Sequence, residues 1–200
     1  MTRFYKTIAC ILRPIVKLLF RFEISGFDKV KNDGKLLLCA NHQSFWDIVF
    51  LLVFCPVQIN FMAKKELFKF KPLGWIFKKM GAFPINRGGS DLSAIKHAED
   101  ILNSGGVLGI FPEGTRHPLG APHKAKAGAA MMALDTRTDI LPVAIRYPKK
   151  PLLFKKIKIN VGEVIKVSSF ITDDKFSKSE IKQVTNLITE NITNLWENAI

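Results

Sequence analysis

No stretch of this 200-residue chain supplies the roughly 18 consecutive apolar residues of a confident membrane-spanning helix. The longest clean run, Ile48 to Val57, is ten residues, the length of a buried helix. Acid is scarce: 17 Asp/Glu face 30 Lys/Arg, a formal charge of +13. The shortage is greatest early, with 5 acids against 14 Lys/Arg in residues 1–80 and 12 against 16 in residues 81–200. A basic surface can serve nucleic acid, anionic lipid or an acidic ligand, and charge alone does not choose. Cys10, Cys39 and Cys55 are too few, and wrongly spaced, for a disulfide framework or a thiolate metal site, and read as small apolar fillers in a reducing compartment. The histidines at 42, 97, 117 and 123 show no ligand spacing, so no metal is expected. The N-terminus lacks signal-peptide shape. There is no internal repeat, low-complexity tract or linker, and the length suits one domain.

Apolar residues are plentiful: 48% of the chain is hydrophobic, including 16 Phe. That abundance suggests an apolar surface that meets lipid. Residues 3–21 read as a helix kinked at Pro14, or as a two-helix hairpin. On a helical wheel Arg3, Lys6, Arg13, Lys17 and Arg21 fall within an arc of about 80°, and Phe4, Ile8, Ile11, Leu12, Ile15, Val16, Leu18, Leu19 and Phe20 share the rest. A wide apolar face beside a basic stripe is the pattern of an interfacial helix. A core-packed helix with a solvated basic edge would look similar. Removing residues 1–21 is expected to release the protein from vesicles. Lys64 to Lys79 interleaves lysines with Phe68, Phe70, Trp75 and Phe77, which suits a phospholipid interface or stacked bases. Lys149 to Lys158 holds five lysines and no acid, by default a solvated face.

Strands and helices then alternate. Strands are expected at 35–40, 58–63, 83–86, 106–111, 140–146 and 157–167, and helices at 44–54, through the segment ending at Met80, at 90–103, 125–134 and 178–199. This order predicts an α/β fold, a single domain with a mixed sheet flanked by helices. Residues 1–21 would form an amphipathic membrane-associating segment and residues 22–200 the catalytic domain.

The strongest local signal is Asn41-His42-Gln43-Ser44-Phe45-Trp46-Asp47, between an apolar strand and a helix, where α/β sheets place their chemistry. A turn could bring the Asp47 carboxylate to one nitrogen of His42 and leave the other to accept a proton. Alternatively Ser44 is an N-cap, Asp47 its N3 partner, and His42 an ordinary loop histidine. A second signal, Phe111-Pro112-Glu113-Gly114-Thr115-Arg116, puts a carboxylate, a glycine, a hydroxyl and a guanidinium at a strand end. It reads either as ligand contacts or as a surface turn with a weak local ion pair. A third, Gly81 to Arg87 followed by Gly88-Gly89, offers an anion site or simply a tight loop. In the fourth, Leu141-Pro142-Val143-Ala144-Ile145, residue type reveals no chemistry.

In this combination and order the four segments resemble the motifs of the glycerolipid acyltransferase family, of the lysophosphatidic acid acyltransferase type. They match its NHxxxxD, Gly-to-Arg, FPEGTR and Pro-containing apolar motifs. The resemblance spans residues 41–146. Pro84 and His117 depart from the usual pattern, and Lys124-Ala125-Lys126-Ala127-Gly128 loosely matches a basic-Gly element. The resemblance implies His42 as base and Asp47 as its partner. It also implies Arg87, Glu113, Gly114, Thr115 and Arg116 as contacts to a glycerophosphate acceptor.

The implied reaction is direct transfer of a fatty acyl group from a thioester to the free hydroxyl of 1-acyl-glycerol-3-phosphate, giving phosphatidic acid. No cofactor is expected beyond acyl-CoA or acyl carrier protein as donor substrate. Expected partners are the bilayer, a lysophospholipid acceptor and that donor, without nucleic acid. The expected location is the membrane, monotopic or peripheral on the cytoplasmic face. The alternatives are a different lysolipid acceptor, or a non-catalytic basic protein that binds lipid or nucleic acid.

Overall fold

The computed structural model describes residues 1–30, 34–86, 91–118, 120–148, 154–171 and 176–199. The strands are β1 (Arg21–Ser25), β2 (Leu36–Ala40), β3 (Ile59–Lys64), β4 (Ala82–Ile85), β5 (Val107–Ile110), β6 (Ile140–Arg146) and β7 (Lys156–Val161). The helices are α1 (Arg3–Leu19), α2 (Trp46–Phe54), α3 (Lys71–Lys79), α4 (Leu92–Asn103), α5 (Ala127–Asp135) and α6 (Lys178–Glu197). The strands form one sheet in the order β1-β7-β6-β2-β5-β3-β4. Its pairs are parallel except β6–β7, so the sheet is mixed, as expected.

Period-two alternation in the central strands sorts the core into two layers. Leu36, Leu38 and Ala40 of β2 face a cluster with Val16 and Phe20 and with Phe50 and Leu51 of α2. Leu37 and Cys39 face the opposite cluster, with Ala98 of α4, Ala130 of α5 and Val184 of α6. Burial on both faces explains why β2 is an unbroken apolar run. The 44–54 helix begins at Trp46, and the 157–167 strand ends at Val161, after which Ile165 makes an isolated bridge with Ile140.

The N-terminal expectation needs correction. Residues 3–19 form one continuous helix with Pro14 inside it, and Thr2 caps its start by accepting from the Tyr5 N–H. Arg21 belongs to β1, which pairs with β7 in register with Lys156, so the basic stripe loses its last member to the sheet. Arg13 donates twice, at 2.7 and 3.2 Å, to the Val53 carbonyl in the last turn of α2. One face of α1 is packed, with Tyr5, Ala9 and Val16 buried. The apolar positions Ile11, Ile15 and Leu18 lie on another face, and Leu18 is 74% exposed. Truncation at residue 21 would therefore remove core side chains along with the exposed face.

The other basic segments divide. Around α3, Phe70 and Trp75 are 67% and 54% exposed, and the edge of the Trp75 ring pair packs against Phe4 of α1. Of the segment 149–158, Lys149 and Lys150 lie outside the described residues, while Lys156 and Lys158 pair with Glu23 on the neighbouring strand, as a solvated face would.

Phe50 is fully buried where α2 meets the sheet and packs edge-on against Phe20 and Phe22. Phe50→Ala is expected to cost about 3–5 kcal/mol of unfolding free energy, read by urea denaturation.

Candidate active site

Register brings the two strongest motifs together. β2 and β5 are adjacent and parallel, with Cys39 opposite Ile110. His42 and Glu113 each lie three residues beyond that pair, so both emerge from the carboxyl edge of the sheet. The Glu113 carboxylate accepts the backbone N–H of His42 at 3.0 Å, and the His42 carbonyl accepts the N–H of His117 at 2.8 Å. Gln43 adds a third tie by donating its side-chain amide to the Gly120 carbonyl at 2.9 Å.

His42 Nδ1 lies 2.9 Å from Asp47 Oδ2, with both side chains buried. The same oxygen accepts the N–H groups of Gln43 and Ser44, each at 2.7 Å, and Oδ1 accepts the Tyr147 hydroxyl at 2.5 Å. An acceptor-only carboxylate fixes the imidazole proton on Nδ1, which leaves Nε2 with its lone pair. Burial, and then the charge of Asp47, raise the Tyr147 pKa far above its ordinary value, so the phenol stays a donor. Ser44 is not the N-cap: α2 starts at Trp46, and Phe45 holds the cap position without a side-chain cap hydrogen bond. Ser44 Oγ accepts from the Trp46 N–H at 3.2 Å, and Asp47 reaches back to Ser44. One carboxylate both opens α2 and orients the imidazole.

The Phe111 ring stacks on His42 with centroids 3.9 Å apart, and Phe61 stacks on Phe111 at 5.9 Å. A Cβ at Gly109 would sit 2.2 Å from the Phe61 ring, so only glycine lets that ring cross β5. A cavity of about 140 Å³, lined by Leu12, Ile48, Phe61, Ile76 and Met80 among others, reaches this stack from the α1–α2 side. A second, of about 330 Å³, reaches Phe111 from the α4–α5 side, past Met62, Pro112, Gly114, Lys126 and Met131.

The remaining expected site residues fare differently. Glu113 is turned inward and buried, holding backbone at the His42 loop, whereas Gly114, Thr115 and Arg116 are exposed. Glu113 thus holds backbone through Oε1, while Oε2 lies buried 3.8 Å from His117 Nε2. Gly114 has φ +77°, and a Cβ there would lie 2.9 Å from Lys126 Nζ, so the basic-Gly element returns its ammonium to the FPEGTR turn. Arg87 lies outside the described residues. The fourth motif acquires a role: Asn41 clamps Ile145 by donating to its carbonyl at 2.9 Å and accepting its N–H at 2.7 Å. Tyr147 was missed, because nothing in the sequence signals that the end of β6 lies against Asp47. No group of three or more His, Cys, Asp or Glu able to hold a metal occurs among the described residues.

Residues 21–146 match the family model described as Acyltransferase. The chain belongs to the acyltransferase family. It is similar to the 1-acyl-sn-glycerol-3-phosphate acyltransferase of Bacillus subtilis (strain 168), at 32% identity over 195 residues and 96% of each chain. It is 35% identical over 176 residues to the protein of that name from Streptococcus pneumoniae, covering 85% of this chain and 64% of that one. Its fold is shared with the crystal structure of the 1-acyl-sn-glycerophosphate acyltransferase PlsC of Thermotoga maritima. The TM-score there is 0.72 at 24% identity, covering 93% of this chain and 78% of the other. This acyltransferase is thus an enzyme rather than a non-catalytic binding protein.

Burial raises the Glu113 pKa to about 7, helped by the charge of Asp47 and opposed by N–H bonds from His42 and His123. Because the folded value exceeds the unfolded one, the folded state holds the extra proton. The associated stability is complete below about pH 4.5 and is lost as pH rises through 7. Denaturation between pH 5 and 8 is expected to show a decline on the order of 2 kcal/mol that Glu113→Gln abolishes.

Proposed function

We propose that this acyltransferase moves a fatty acyl group from a thioester to the free hydroxyl of 1-acyl-glycerol-3-phosphate, forming phosphatidic acid. The carrying observation is the buried His42–Asp47 pair, with the His42 ring stacked on Phe111, which lines a cavity of about 330 Å³. The activity for which the Bacillus and Streptococcus relatives are named supports the choice of acceptor.

In this reading His42 Nε2 takes the proton of the acceptor hydroxyl as its oxygen attacks the thioester carbonyl. The tetrahedral intermediate then expels the thiolate, which recovers the proton. Asp47 stabilises the transient imidazolium, and Tyr147 and the two N–H groups hold Asp47 in place. No acyl-enzyme is required: Cys39 and Cys55 are buried, and burial raises their thiol pKa values to about 12 and about 11. Arg116, with Arg87, would hold the acceptor phosphate. Glu113 would act as a positioning residue through the His42 backbone rather than as a phosphate contact. The apolar cavity beneath α1 and α2 would take a fatty chain.

The same reading puts the protein on a membrane surface, on the cytoplasmic face. No helix among the described residues is long and apolar enough to cross a membrane. The exposed apolar face of α1, with Phe70 and Trp75 near α3 and lysines at 69, 71, 78 and 79, suits insertion at headgroup level.

Purified protein given a labelled acyl thioester and a panel of lysolipids is expected to yield phosphatidic acid by mass spectrometry. His42→Ala is expected to lower the rate by about 10²–10⁴ while leaving the fold intact by circular dichroism. Retained turnover in that variant removes the base. For the membrane, Ile11→Ser with Leu18→Ser spares the packed face of α1 and is expected to weaken cosedimentation with anionic vesicles; undiminished binding moves the interface elsewhere.

A further inference from the structure

The two sides of the sheet offer different surfaces to a substrate. The α1–α3 side is apolar and cationic at once and suits lipid. A water-soluble donor needs a route that a bilayer on that side does not cover. On the other side a groove of about 340 Å³ lies between α5 and α6, at the end of α5 that faces the carboxyl edge of the sheet. Its floor is Ala127 and Met131 of α5 and Ile181 of α6, and its rim is Lys124, Lys178 and Lys182, with no acid among its lining residues. Met131 is 44% exposed there, on the outer face of a helix whose other face, Ala129, Ala130, Met132, Ala133 and Leu134, is buried.

This groove adjoins the cavity that reaches Phe111, the ring stacked on His42. Met131 also lines the cavity that ends at Phe111, Pro112 and Gly114, so one side chain is wall to both spaces. Lys124 stands in the loop that follows the FPEGTR turn. That loop is tied at one end to the Pro112 carbonyl by the Lys126 N–H at 2.8 Å, and to α6 by the Ala125 N–H on Thr189 Oγ1 at 3.1 Å. The turn in turn holds His42 through Glu113. A carrier seated over the lysines would therefore lie one cavity away from the imidazole.

We propose that the α5–α6 groove docks the acidic face of an acyl carrier protein, whose prosthetic arm then reaches His42 along the cavity beside Met131. The proposal rests on the thioester-dependent reaction above. The chemistry favours an acidic protein over the nucleotide of acyl-CoA. The rim is lysine without an arginine fork for a phosphate, and no aromatic side chain lines the groove for a purine to stack on. An apolar floor inside a charged rim is the anatomy of a protein interface. Rim charges of one sign speed encounter with a partner of the other and are weakened by salt.

The test compares two donors on the full chain, with lysophosphatidate in vesicles as acceptor: an acyl-loaded acidic carrier protein and acyl-CoA of the same chain. The triple variant Lys124→Glu, Lys178→Glu, Lys182→Glu, checked for folding by circular dichroism, is expected to lower the ratio of kcat/KM for carrier over kcat/KM for CoA by roughly tenfold or more. The wild-type KM for carrier is expected to rise with added KCl, and that of the variant to be flatter. Lys178→Ala with Lys182→Ala is expected to give a smaller drop in the same ratio. An unchanged ratio, or a wild-type enzyme that uses CoA and ignores the carrier, overturns the proposal while leaving the acyl-transfer reading intact. Loss of turnover with both donors in the His42→Ala variant tests that reading separately.

Discussion

Four donors converge on the carboxylate of Asp47: the Nδ1 of His42, the N–H groups of Gln43 and Ser44, and the phenol of Tyr147. A buried carboxylate is tolerable only when its acceptor sites are filled, so the local chain has little freedom to do otherwise. Filling them bends residues 42–44 around Asp47, starts α2 and aims the imidazole in one stroke. The five-residue spacing between His and Asp is the length of chain this turn consumes. Lengthening or shortening it would separate the helix start from the imidazole it orients.

The sheet supplies the second constraint. Parallel pairing of β2 with β5 and β6 delivers three loops to one edge. Asn41 fastens the first to β6, and Glu113 fastens it to the turn after β5. His42 is therefore gripped on both flanks by backbone hydrogen bonds and covered by Phe111. Preorganisation of this kind places reactive groups without reorganisation at the moment of reaction. It also separates two tasks, because each face of the sheet has its own cavity, one lined by Phe111 and the other by Phe61, which stacks on it.

Much of this was legible in the residues. The uninterrupted apolar run of β2 announced a strand, and the heavily patterned α4 and α6 announced themselves by their apolar stripes. β1 was not legible: its alternating Arg21-Phe22-Glu23-Ile24-Ser25 is short and follows directly on α1, so its first residue was counted in the helix and the rest gave too short a pattern to read. The inward turn of Glu113 was likewise hidden. A carboxylate beside Gly, Thr and Arg looks like a surface group, and only the opposed N–H of His42 shows why it is buried.

The sequence by itself determined the α/β alternation and brought His42 within reach of Asp47, because each depends on residues close in the chain. Tertiary structure alone decided that Tyr147 would complete the shell around Asp47, that Glu113 would hold backbone, and that Arg13 and Arg21 would leave the basic stripe. Those outcomes depend on which strands become neighbours and in what register. Such pairings are fixed by packing over long chain separations that local pattern does not encode.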